Sequence, residues 1–376
     1  MARSSRSAKP KDRVKEGAVS ADALAGSFPE VSLPIQPPYP PMEAKPVDEI
    51  PTGDGWQYEP KWDGFRCLVF RDGDTVAIQS KAGQPLGRYF PEVIEAATKL
   101  PQKHCVLDGE IVILQEGHIQ FDELLMRIHP AASRIQKLSK EIPATVFTFD
   151  LLVDEKGRDL SSMPLDVRRP RLEEFFEQVP ENSLFRLSPK TEDVRAAEQW
   201  MQQLGSIGLD GVIAKRLDVE YASGERSAMQ KIKLIRTADC VVGGFRWASK
   251  GGKVGSLLLG LYDGDGKLNH VGFSSSFNVE ERGDLEKVLK PYMGGEGFSG
   301  AAPGGPSRWA TERSAEWEPL SPKLVCEVRY DHFSGGRFRH GTKFLRWRPE
   351  KKPKSCTYDQ LETKKRGKGL EALLAA

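Results

Sequence analysis

A hairpin signal at residues 67–80 constrains the fold more than any other feature of this chain. Residues 67–70 form an apolar strand pattern, Asp72-Gly73-Asp74 is typical of a tight turn, and residues 75–80 form the alternating partner strand. Two strands joined by so short a turn pair antiparallel, because parallel pairing needs a long crossover connection. We therefore expect an antiparallel sheet here, with the residues just before position 67 at its mouth.

The segment that stands at this mouth combines an amine, acids and a glycine: Glu59-Pro60-Lys61-Trp62-Asp63-Gly64-Phe65, with Arg66 after it. The glycine lets the backbone come close to a ligand, and Arg66 suits a phosphate or a carboxylate. Lys61 lies two residues from Asp63, an acid that suits a metal or a ribose. Taken alone, such a string is also explained by a turn between two strands.

Two further strand patterns carry candidate functional side chains. In residues 105–114, period-two geometry puts Asp108 and Glu110 on the same face of an apolar strand. Buried acids are costly unless they are paired or bound to a cation, so these two indicate a site, or else a bulge that is open to solvent. In residues 146–153, Phe147 fits either the core or a ring on which a base stacks.

A later pair of strands is predicted to bring more charge to the same region. Asp210 and a glycine open a strand that ends at Lys215, and residues 229–235 alternate so that Lys231 and Lys233 share one face. Two ammonium groups on one face favour an anion opposite them. The alternative is a solvated basic edge strand.

Beyond residue 236 the pattern changes to short strands with glycine turns and one helix, at residues 279–292. Residues 237–354 are typical of a small Greek-key barrel of the OB type. Residues 337–348 interleave cations with aromatic side chains, which favours a surface for nucleic acid or a triphosphate. Two domains are also what a chain of 376 residues predicts.

Composition excludes several classes. The net charge is only +2, so the chain as a whole is not a polycation. Residues 1–26 are predicted to be a disordered basic tail, without the apolar core of a secretory signal, and residues 355–376 a C-terminal tail. No apolar run is long enough for a membrane span. The five cysteines are scattered singly without a C-x-x-C pair, which argues against a zinc site and favours a reducing cytosol.

The order and spacing of these segments closely resemble the covalent nucleotidyltransferases, and among them the ATP-dependent DNA ligases. The resemblance extends over residues 37–352, and the compact size is most similar to bacterial ligase C, a relative of the end-joining ligase D. The motifs, in order, resemble the adenylation motif (59–66), the next motif (80–83), the third (108–110), the strand with the base-stacking aromatic (147–150), the last two catalytic-domain motifs (210–215 and 231–233) and the closing OB motif (344–351).

The resemblance implies an α+β fold. A nucleotidyltransferase (adenylation) domain built on antiparallel sheets with flanking helices, residues 27–236, is followed by an all-β OB-fold barrel, residues 237–354. It also implies a DNA ligase that seals nicks between a 3′-hydroxyl and a 5′-phosphate through a lysyl-AMP intermediate, in DNA repair. The implied enzyme is a monomer in the cytoplasm, associated with the nucleoid, whose partners are nicked duplex DNA and a repair polymerase or end-binding proteins.

The same resemblance assigns the site residues. Lys61 is the implied nucleophile, and Mg²⁺ or Mn²⁺ is held by Glu110, Asp210 and Asp63. The residues implied to bind ATP are Glu59, Lys61, Arg66, Lys81, Glu110, Phe147, Lys215, Lys231, Lys233, Arg346, Arg348 and Lys351. Two positions depart from the family pattern, because Asp210 stands where glutamate is usual and Lys81 where arginine is common.

The implied roles follow the course of the reaction. Glu59 contacts the purine edge and Phe147 stacks on adenine. Arg66 serves the ribose or the nick phosphate, and Glu110 the metal or the ribose. Lys215, Lys231 and Lys233 neutralise the α-phosphate, and Arg346, Arg348 and Lys351 clamp the departing pyrophosphate once the OB domain swings over the site.

Lys61 must react as a free amine, and we expect a divalent cation together with Lys231 and Lys233 to lower its pKa. ATP rather than NAD is the expected adenylate donor, because the chain lacks the cysteines and the extra domain of NAD-using ligases. The alternatives are an RNA ligase or a capping nucleotidyltransferase, and a non-catalytic OB protein that binds nucleic acid.

Overall fold

The computed structural model describes residues 27–203, 208–248, 252–277, 279–304 and 316–361. The predicted basic tail, residues 1–26, lies outside these residues, as do residues 362–376 of the predicted C-terminal tail. Two units follow one another along the described chain, and each has its own sheets and its own core.

The first unit contains two sheets. One has the strand order β1-β10-β9-β2, and the other has the order β4-β3-β5-β7-β8 with β6 paired to β5. Most neighbours pair antiparallel as predicted, but β1–β10 and β7–β8 are parallel. The strands are β1 (Lys45–Val47), β2 (Trp56–Lys61), β3 (Phe65–Asp72), β4 (Thr75–Ser80), β5 (His104–Gln115), β6 (His118–Ile119), β7 (Ala144–Val153), β8 (Phe185–Leu187), β9 (Gly211–Arg216) and β10 (Met229–Lys233).

The predicted hairpin is confirmed in strands β3 and β4. Asp72 pairs with Thr75 at its tip, and Gly73 has a φ of +62°, a left-handed conformation that glycine adopts without a Cβ penalty. The turn fixes the register of the pair, so Cys67 faces Ser80 at the other end. Residues 59–66 therefore lead from β2 of the smaller sheet into β3 at the open end of the hairpin, where Phe65 and Arg66 pair with β5.

Helices cover the outer face of the larger sheet. Phe90 and Val93 of the α1 region and Leu172 of α4 pack with β3, β5 and β7 in one buried cluster. A second cluster fills the space between the two sheets and includes Trp62 and Phe147. The helices are α1 (Pro91–Thr98), α2 (Phe121–Leu125), α3 (Ala132–Glu141), α4 (Leu165–Glu177) and α5 (Val194–Gln203), with a 3₁₀ turn at Gly87–Tyr89.

The second unit is the predicted OB-type barrel. Its sheet has the order β13-β12-β11-β15-β18, and a bridge between Ser274 and Thr342 joins the two edges and closes the barrel. The elements are β11 (Arg236–Trp247), β12 (Val254–Tyr262), β13 (Leu268–Ser274), α6 (Val279–Leu289), β14 (Glu318–Pro319), β15 (Val325–Tyr330), β16 (Phe333–Ser334), β17 (Arg337–Phe338) and β18 (Lys343–Trp347), with 3₁₀ turns at Lys290–Tyr292, Pro353–Ser355 and Tyr358–Leu361.

The start of the predicted C-terminal tail packs on this barrel instead of leaving it. Cys356 is buried in the barrel core, and its carbonyl accepts a hydrogen bond of 2.8 Å from the backbone of Tyr262. Gln360 donates to the carbonyl of Asp239 over 3.0 Å. Residues 355–361 thus belong to the second unit.

All five cysteines are free and buried: Cys67, Cys105, Cys240, Cys326 and Cys356. Burial raises the pKa of each thiol, so each is held in its protonated form. Within the described residues, no helix combines the length and the apolar character that crossing a bilayer requires.

Candidate active site

One pocket is lined by seven of the fourteen predicted site residues. It opens between the two sheets of the first unit and is walled on one side by residues 41–44. The strands supply one or two side chains each, in the order Glu59 and Lys61 (β2), Arg66 (β3), Glu110 (β5), Phe149 (β7), Lys215 (β9) and Lys231 (β10), and Lys81 follows β4.

Lys61 ends strand β2 and forms an ion pair with Asp210. Its Nζ atom lies 2.7 Å from Oδ2 of Asp210, and both groups are largely buried. The close approach depends on Gly211, which pairs with Lys61 and has a φ of +147°. A Cβ atom there would lie 1.9 Å from the carbonyl oxygen of Ile232, so only glycine fits.

The ion pair with Asp210 determines the direction of the pKa shift of Lys61. Burial alone lowers the pKa of the amine, but the charge and the hydrogen bond of Asp210 outweigh it, and the pKa is raised. The expected lowering requires a divalent cation as well as Lys231 and Lys233, and it stays a prediction. Lys61 is an ammonium group until Asp210 is drawn away from it.

Arg66 is held in a fork by Asp108. Its Nε and Nη2 atoms each lie 2.5 Å from a carboxylate oxygen of Asp108, which is fully buried. The register of β5 against β7 does shift between Asp108 and Gly109, but the acid is not open to solvent as the alternative required. Asp108 also accepts a hydrogen bond of 2.6 Å from the hydroxyl of Tyr221, a residue that the sequence patterns did not indicate.

Glu110 lines the pocket without a close ion-pair partner among the described residues. Burial raises its pKa to about 7, while the charges of Arg66 and Lys61 act against the rise. The charged form of a buried carboxylate with a raised pKa is stabilised when a cation approaches it. Glu110 is thus the pocket's best candidate for a metal or a hydroxyl-bearing ligand.

Glu59 lies at the other end of the pocket in a buried cluster. Nζ of Lys215 lies 2.8 Å from Oε1 of Glu59, and the side-chain amide of Gln57 donates to the same oxygen over 2.7 Å. Lys215 also donates to the carbonyl of Phe149 over 3.1 Å and lies 4.6 Å from the centre of its ring. These contacts fix the carboxylate of Glu59 beside an aromatic face.

Phe147 is not the aromatic side chain of the pocket. Its ring is fully buried and stacks on Trp62 at a centroid distance of 3.6 Å, in the core between the sheets. Phe149, two residues further along β7, lines the pocket instead, with the guanidinium of Arg66 4.5 Å from its ring centre. The alternating pattern predicted an aromatic strand correctly but did not distinguish the two rings.

The remaining lysines divide between the pocket and its edge. Lys81 and Lys231 line the pocket, and Lys81 lies 3.4 Å from Glu43 of the wall. Burial and then the charges of Lys81 and Lys61 lower the pKa of Lys231. Lys233 lies 3.7 Å from Asp210 and 3.8 Å from Asp331 of the second unit, so it links the pocket to the barrel.

Asp63 does not join Glu110 and Asp210. Its Oδ2 atom lies 3.3 Å from Nη1 of Arg339 and 3.8 Å from Nδ1 of His332, both in the second unit. Among the described residues no group of three or more His, Cys, Asp or Glu side chains is placed to hold a metal alone. The predicted three-carboxylate set is therefore reduced to Glu110 and Asp210 at the pocket.

The predicted pyrophosphate clamp is not at the pocket in this arrangement of the two units. Arg346 pairs with Glu327 at 2.7 Å, while Arg348 and Lys351 pair with Asp239 at 2.9 Å and 3.0 Å. The second unit instead presents Asp331, His332 and Arg339 to the first. The basic pattern of residues 337–348 includes Arg339, although it indicated nucleic acid or a triphosphate rather than Asp63, and it does not include Asp331 or His332.

Comparison with known proteins identifies the family. The model of the ATP-dependent DNA ligase domain matches residues 41–233, and that of the ATP-dependent DNA ligase C-terminal region matches residues 250–351. The chain belongs to the ATP-dependent DNA ligases. The two matches cover the nucleotidyltransferase and OB-fold parts of this ligase, and they give no support to the RNA-ligase or capping alternative.

Relatives of this DNA ligase include compact and multidomain enzymes. It is 46% identical to DNA ligase C1 of Mycolicibacterium smegmatis, over 89% of this chain and 96% of that one. It is 32% identical to the multifunctional non-homologous end joining protein LigD of Mycobacterium bovis, over 79% of this chain and 37% of that one. A solved structure of a Lig E DNA ligase, 18% identical, shares the fold with a TM-score of 0.51 over 82% of this chain and 99% of that one.

Proposed function

We propose that this ligase seals nicks in duplex DNA by carrying adenylate on Lys61. The observation that carries the proposal is the position of Nζ of Lys61, 2.7 Å from Asp210, at a pocket that is also lined by the aromatic ring of Phe149 and by Lys81 and Lys231. An amine placed between a base site and an anion site suits attack on the α-phosphate of ATP.

The base end of the pocket is suited to adenine. Phe149 offers its ring for stacking, in place of the predicted Phe147, and Lys215 and Gln57 hold the carboxylate of Glu59. A fixed carboxylate accepts a hydrogen bond from the exocyclic amine of adenine and repels the carbonyl oxygen that guanine carries there. Glu59 therefore favours ATP over GTP.

The opposite end is suited to the triphosphate. Lys81, Lys231 and Lys233 supply positive charge around Lys61, and they neutralise the charge that develops on the α-phosphate as pyrophosphate leaves. Lys61 first gives up one ammonium proton to solvent. Its amine then forms the nitrogen–phosphorus bond as the bond between the α-phosphorus and the pyrophosphate oxygen breaks, and its second proton also passes to solvent. The 5′-phosphate of the nick then takes the adenylate from Lys61, and the 3′-hydroxyl displaces AMP to form the phosphodiester.

A divalent metal fits the two carboxylates. Mg²⁺ is usually held by one or two carboxylates together with substrate phosphates and water, so the lack of a three-ligand group in the described chain agrees with its use here. Glu110 and Asp210 would hold Mg²⁺ or Mn²⁺, which would supply positive charge to the phosphates and draw Asp210 away from Lys61. Asp63 is omitted from this set because it pairs with the barrel.

The pyrophosphate is bound only in a second arrangement of the two domains, by Arg346, Arg348 and Lys351. They pair here with Glu327 and Asp239, so each must exchange its carboxylate partner for a phosphate ligand. The barrel must therefore rotate so that β18 faces the pocket during the adenylation step.

The relationship to LigD, whose name places it in end joining, supports a role in DNA repair. We propose a monomer that acts in the cytoplasm in association with the nucleoid, on nicked duplex DNA supplied by a repair polymerase or an end-binding protein. Contacts to DNA are mainly to phosphates, since a ligase must accept any sequence, and its binding weakens steeply with salt.

The test is covalent adenylation followed by sealing. Incubation of the protein with ATP and Mg²⁺ should add one adenylate, and Lys61→Ala should abolish both the adduct and the sealing of a nicked duplex. Lys99→Ala is the control, because Lys99 pairs with Glu95 on the exposed face beyond α1. An adduct that persists in Lys61→Ala would contradict the proposed nucleophile.

A further inference from the structure

Tyr221 is a buried residue of the loop between β9 and β10 and does not line the pocket itself. Its side chain is almost fully buried, and its hydroxyl group makes two hydrogen bonds. It donates to Oδ2 of Asp108 over 2.6 Å and accepts the backbone N–H of Met42 over 3.0 Å. The hydroxyl of Tyr221 therefore links Asp108, which binds Arg66, to residues 41–44, which form the pocket wall.

The contacts around Met42 close into a ring. Nη2 of Arg66 lies 3.4 Å from the carbonyl oxygen of Met42, and Asp108 binds the same guanidinium in a fork. Tyr221, Asp108, Arg66 and the backbone of Met42 thus form a closed cycle of hydrogen bonds. Loss of the Tyr221 hydroxyl removes two hydrogen bonds of this cycle and leaves the carboxylate of Asp108 with one donor fewer.

The loop that carries Tyr221 also binds the pocket wall through its backbone and side chains. The hydroxyl of Ser223 donates to the carbonyl of Pro40 over 2.7 Å, and the backbone N–H of Glu43 donates to the carbonyl of Glu225 over 2.8 Å. Arg226 pairs with Glu43 at 2.7 Å. The wall formed by residues 41–44 is therefore held at several points. Among the described residues of this loop, Tyr221 alone also forms a hydrogen bond with Asp108.

The far side of Tyr221 is fixed as well. The guanidinium of Arg168 lies 5.7 Å from the centre of its ring and pairs with Asp150 at 2.8 Å. Burial, and then the charge of Asp108, raise the pKa of Tyr221 well above its ordinary value, so its hydroxyl remains a donor across the working pH range. The ring cannot turn away from Asp108 without disturbing this packing.

We propose that Tyr221 is a positioning residue for the sealing reaction, which sets the orientation of the Arg66 fork and of the pocket wall through Asp108 and Met42. The inference rests on the proposed function, in which Arg66 meets the ribose or the 5′-phosphate of the nick. A correctly oriented guanidinium group of Arg66 binds either group through two parallel hydrogen bonds. A misoriented guanidinium loses at least one of these hydrogen bonds.

The experiment is a double-mutant cycle between Tyr221→Phe and Arg66→Lys. Lysine keeps the charge at position 66 but loses the planar fork, so a residual rate stays measurable. Single-turnover rates are measured for lysyl-AMP formation at saturating ATP and for adenylate transfer to a 5′-phosphorylated nick. Tyr58→Phe is the matched control, because the hydroxyl of Tyr58 donates over 2.7 Å to the carbonyl of Pro51 away from the pocket.

We expect Tyr221→Phe to slow the same step that Arg66→Lys slows, and to slow it by about tenfold or more. In the Arg66→Lys background, Tyr221→Phe should change the rate of that step by less than about twofold. Tyr58→Phe should leave both rates unchanged, although thermal unfolding should show similar losses for the two tyrosine variants. Additive effects of Tyr221→Phe and Arg66→Lys, or a rate for Tyr221→Phe equal to that of Tyr58→Phe, would overturn the inference and leave the proposed function intact. A wild-type protein that forms no lysyl-AMP would overturn both.

Discussion

Arg339 lies 3.3 Å from Asp63, and this ion pair connects the OB-fold barrel to the segment that carries Lys61. The same guanidinium lies 3.8 Å from the ring centre of Phe121, so it is held by an acid and an aromatic face together. His332 adds a contact of 3.8 Å to the same carboxylate oxygen of Asp63. The barrel is thus fixed against the adenylation domain within two residues of the nucleophile.

Removing this contact should loosen the two domains. Arg339→Gln loses the charge, and a loss of about 1–2 kcal/mol would shift the ratio of docked to undocked barrel by roughly 5- to 30-fold. Small-angle X-ray scattering should then report a larger radius of gyration. Arg337→Gln is the control, since Arg337 is exposed in the same hairpin. Equal radii for Arg339→Gln and wild type would show that the pair does not hold the domains.

Truncation of either phenylalanine of β7 should cost stability, because both lie in one buried cluster, but only the truncation of Phe149 should also weaken ATP binding. Phe149→Ala removes the ring at the pocket and should raise the KM for ATP by roughly 5- to 100-fold, since stacking on a base contributes about 1–3 kcal/mol. Phe147→Ala leaves a cavity under Trp62 and should reduce the free energy of unfolding by about 3–5 kcal/mol. Steady-state kinetics and chemical denaturation measure the two effects. A large KM effect from Phe147→Ala with normal stability would restore Phe147 as the stacking ring.

The backbone at Gly211 should tolerate no side chain. In Gly211→Ala the new Cβ meets the carbonyl of Ile232, and the left-handed φ alone costs about 1–3 kcal/mol. We expect a lower unfolding temperature and a slower formation of lysyl-AMP, because Asp210 moves with its neighbour. Gly264→Ala, which meets open space, should change neither quantity. Wild-type adenylation in Gly211→Ala would show that the ion pair of Lys61 does not depend on this close approach.

The buried ion pair of Asp150 and Arg168 should make the free energy of unfolding depend on pH in the acidic range. Burial raises the pKa of Asp150, but Arg168 at 2.8 Å outweighs it and holds the pKa below its ordinary value. The contribution of the pair is then complete above the unfolded pKa of about 3.9 and is lost as pH falls from there through the folded pKa. Denaturation curves measured at a series of pH values should show this loss below about pH 4.

A substitution isolates this pair from the other carboxylates. Asp150→Asn leaves Arg168 buried without a counter-charge and should cost about 3–5 kcal/mol at neutral pH. Asp218→Asn, at the exposed pair with Arg216, should have no measurable effect on unfolding. A stability of Asp150→Asn equal to that of Asp218→Asn would contradict the role of the pair.

Local sequence patterns predicted the elements that position the site. The turn at Gly73 identified the hairpin, and alternation placed Lys231 in a strand that reaches the pocket. The choice between Phe147 and Phe149 was not accessible in this way, because both lie on the same face of β7. Which ring lines the pocket is decided by Trp62, which follows β2 of the other sheet and covers Phe147.

Other contacts were missed because they join residues far apart in the chain. Tyr221 lies in a loop without periodicity and reaches Asp108 across 113 positions, and Arg339 reaches Asp63 across 276. Tyr221 stands in no local pattern that marks a site, and the pattern of residues 337–348 that contains Arg339 indicated nucleic acid or a triphosphate rather than Asp63. The raised pKa of Lys61 was missed for the same reason, since Asp210 stands 149 positions away and only the packed sheets bring the two together.

The burial of every native thiol offers a way to watch the domains move. A cysteine introduced at Lys137 in the first domain and another at Lys287 in the barrel would stand on side chains that are 70% and 81% exposed. Because the five native thiols are enclosed and protonated, maleimide dyes would attach selectively at the two new positions. Energy transfer between such a donor and acceptor pair would then follow each turn of the barrel during a single sealing cycle.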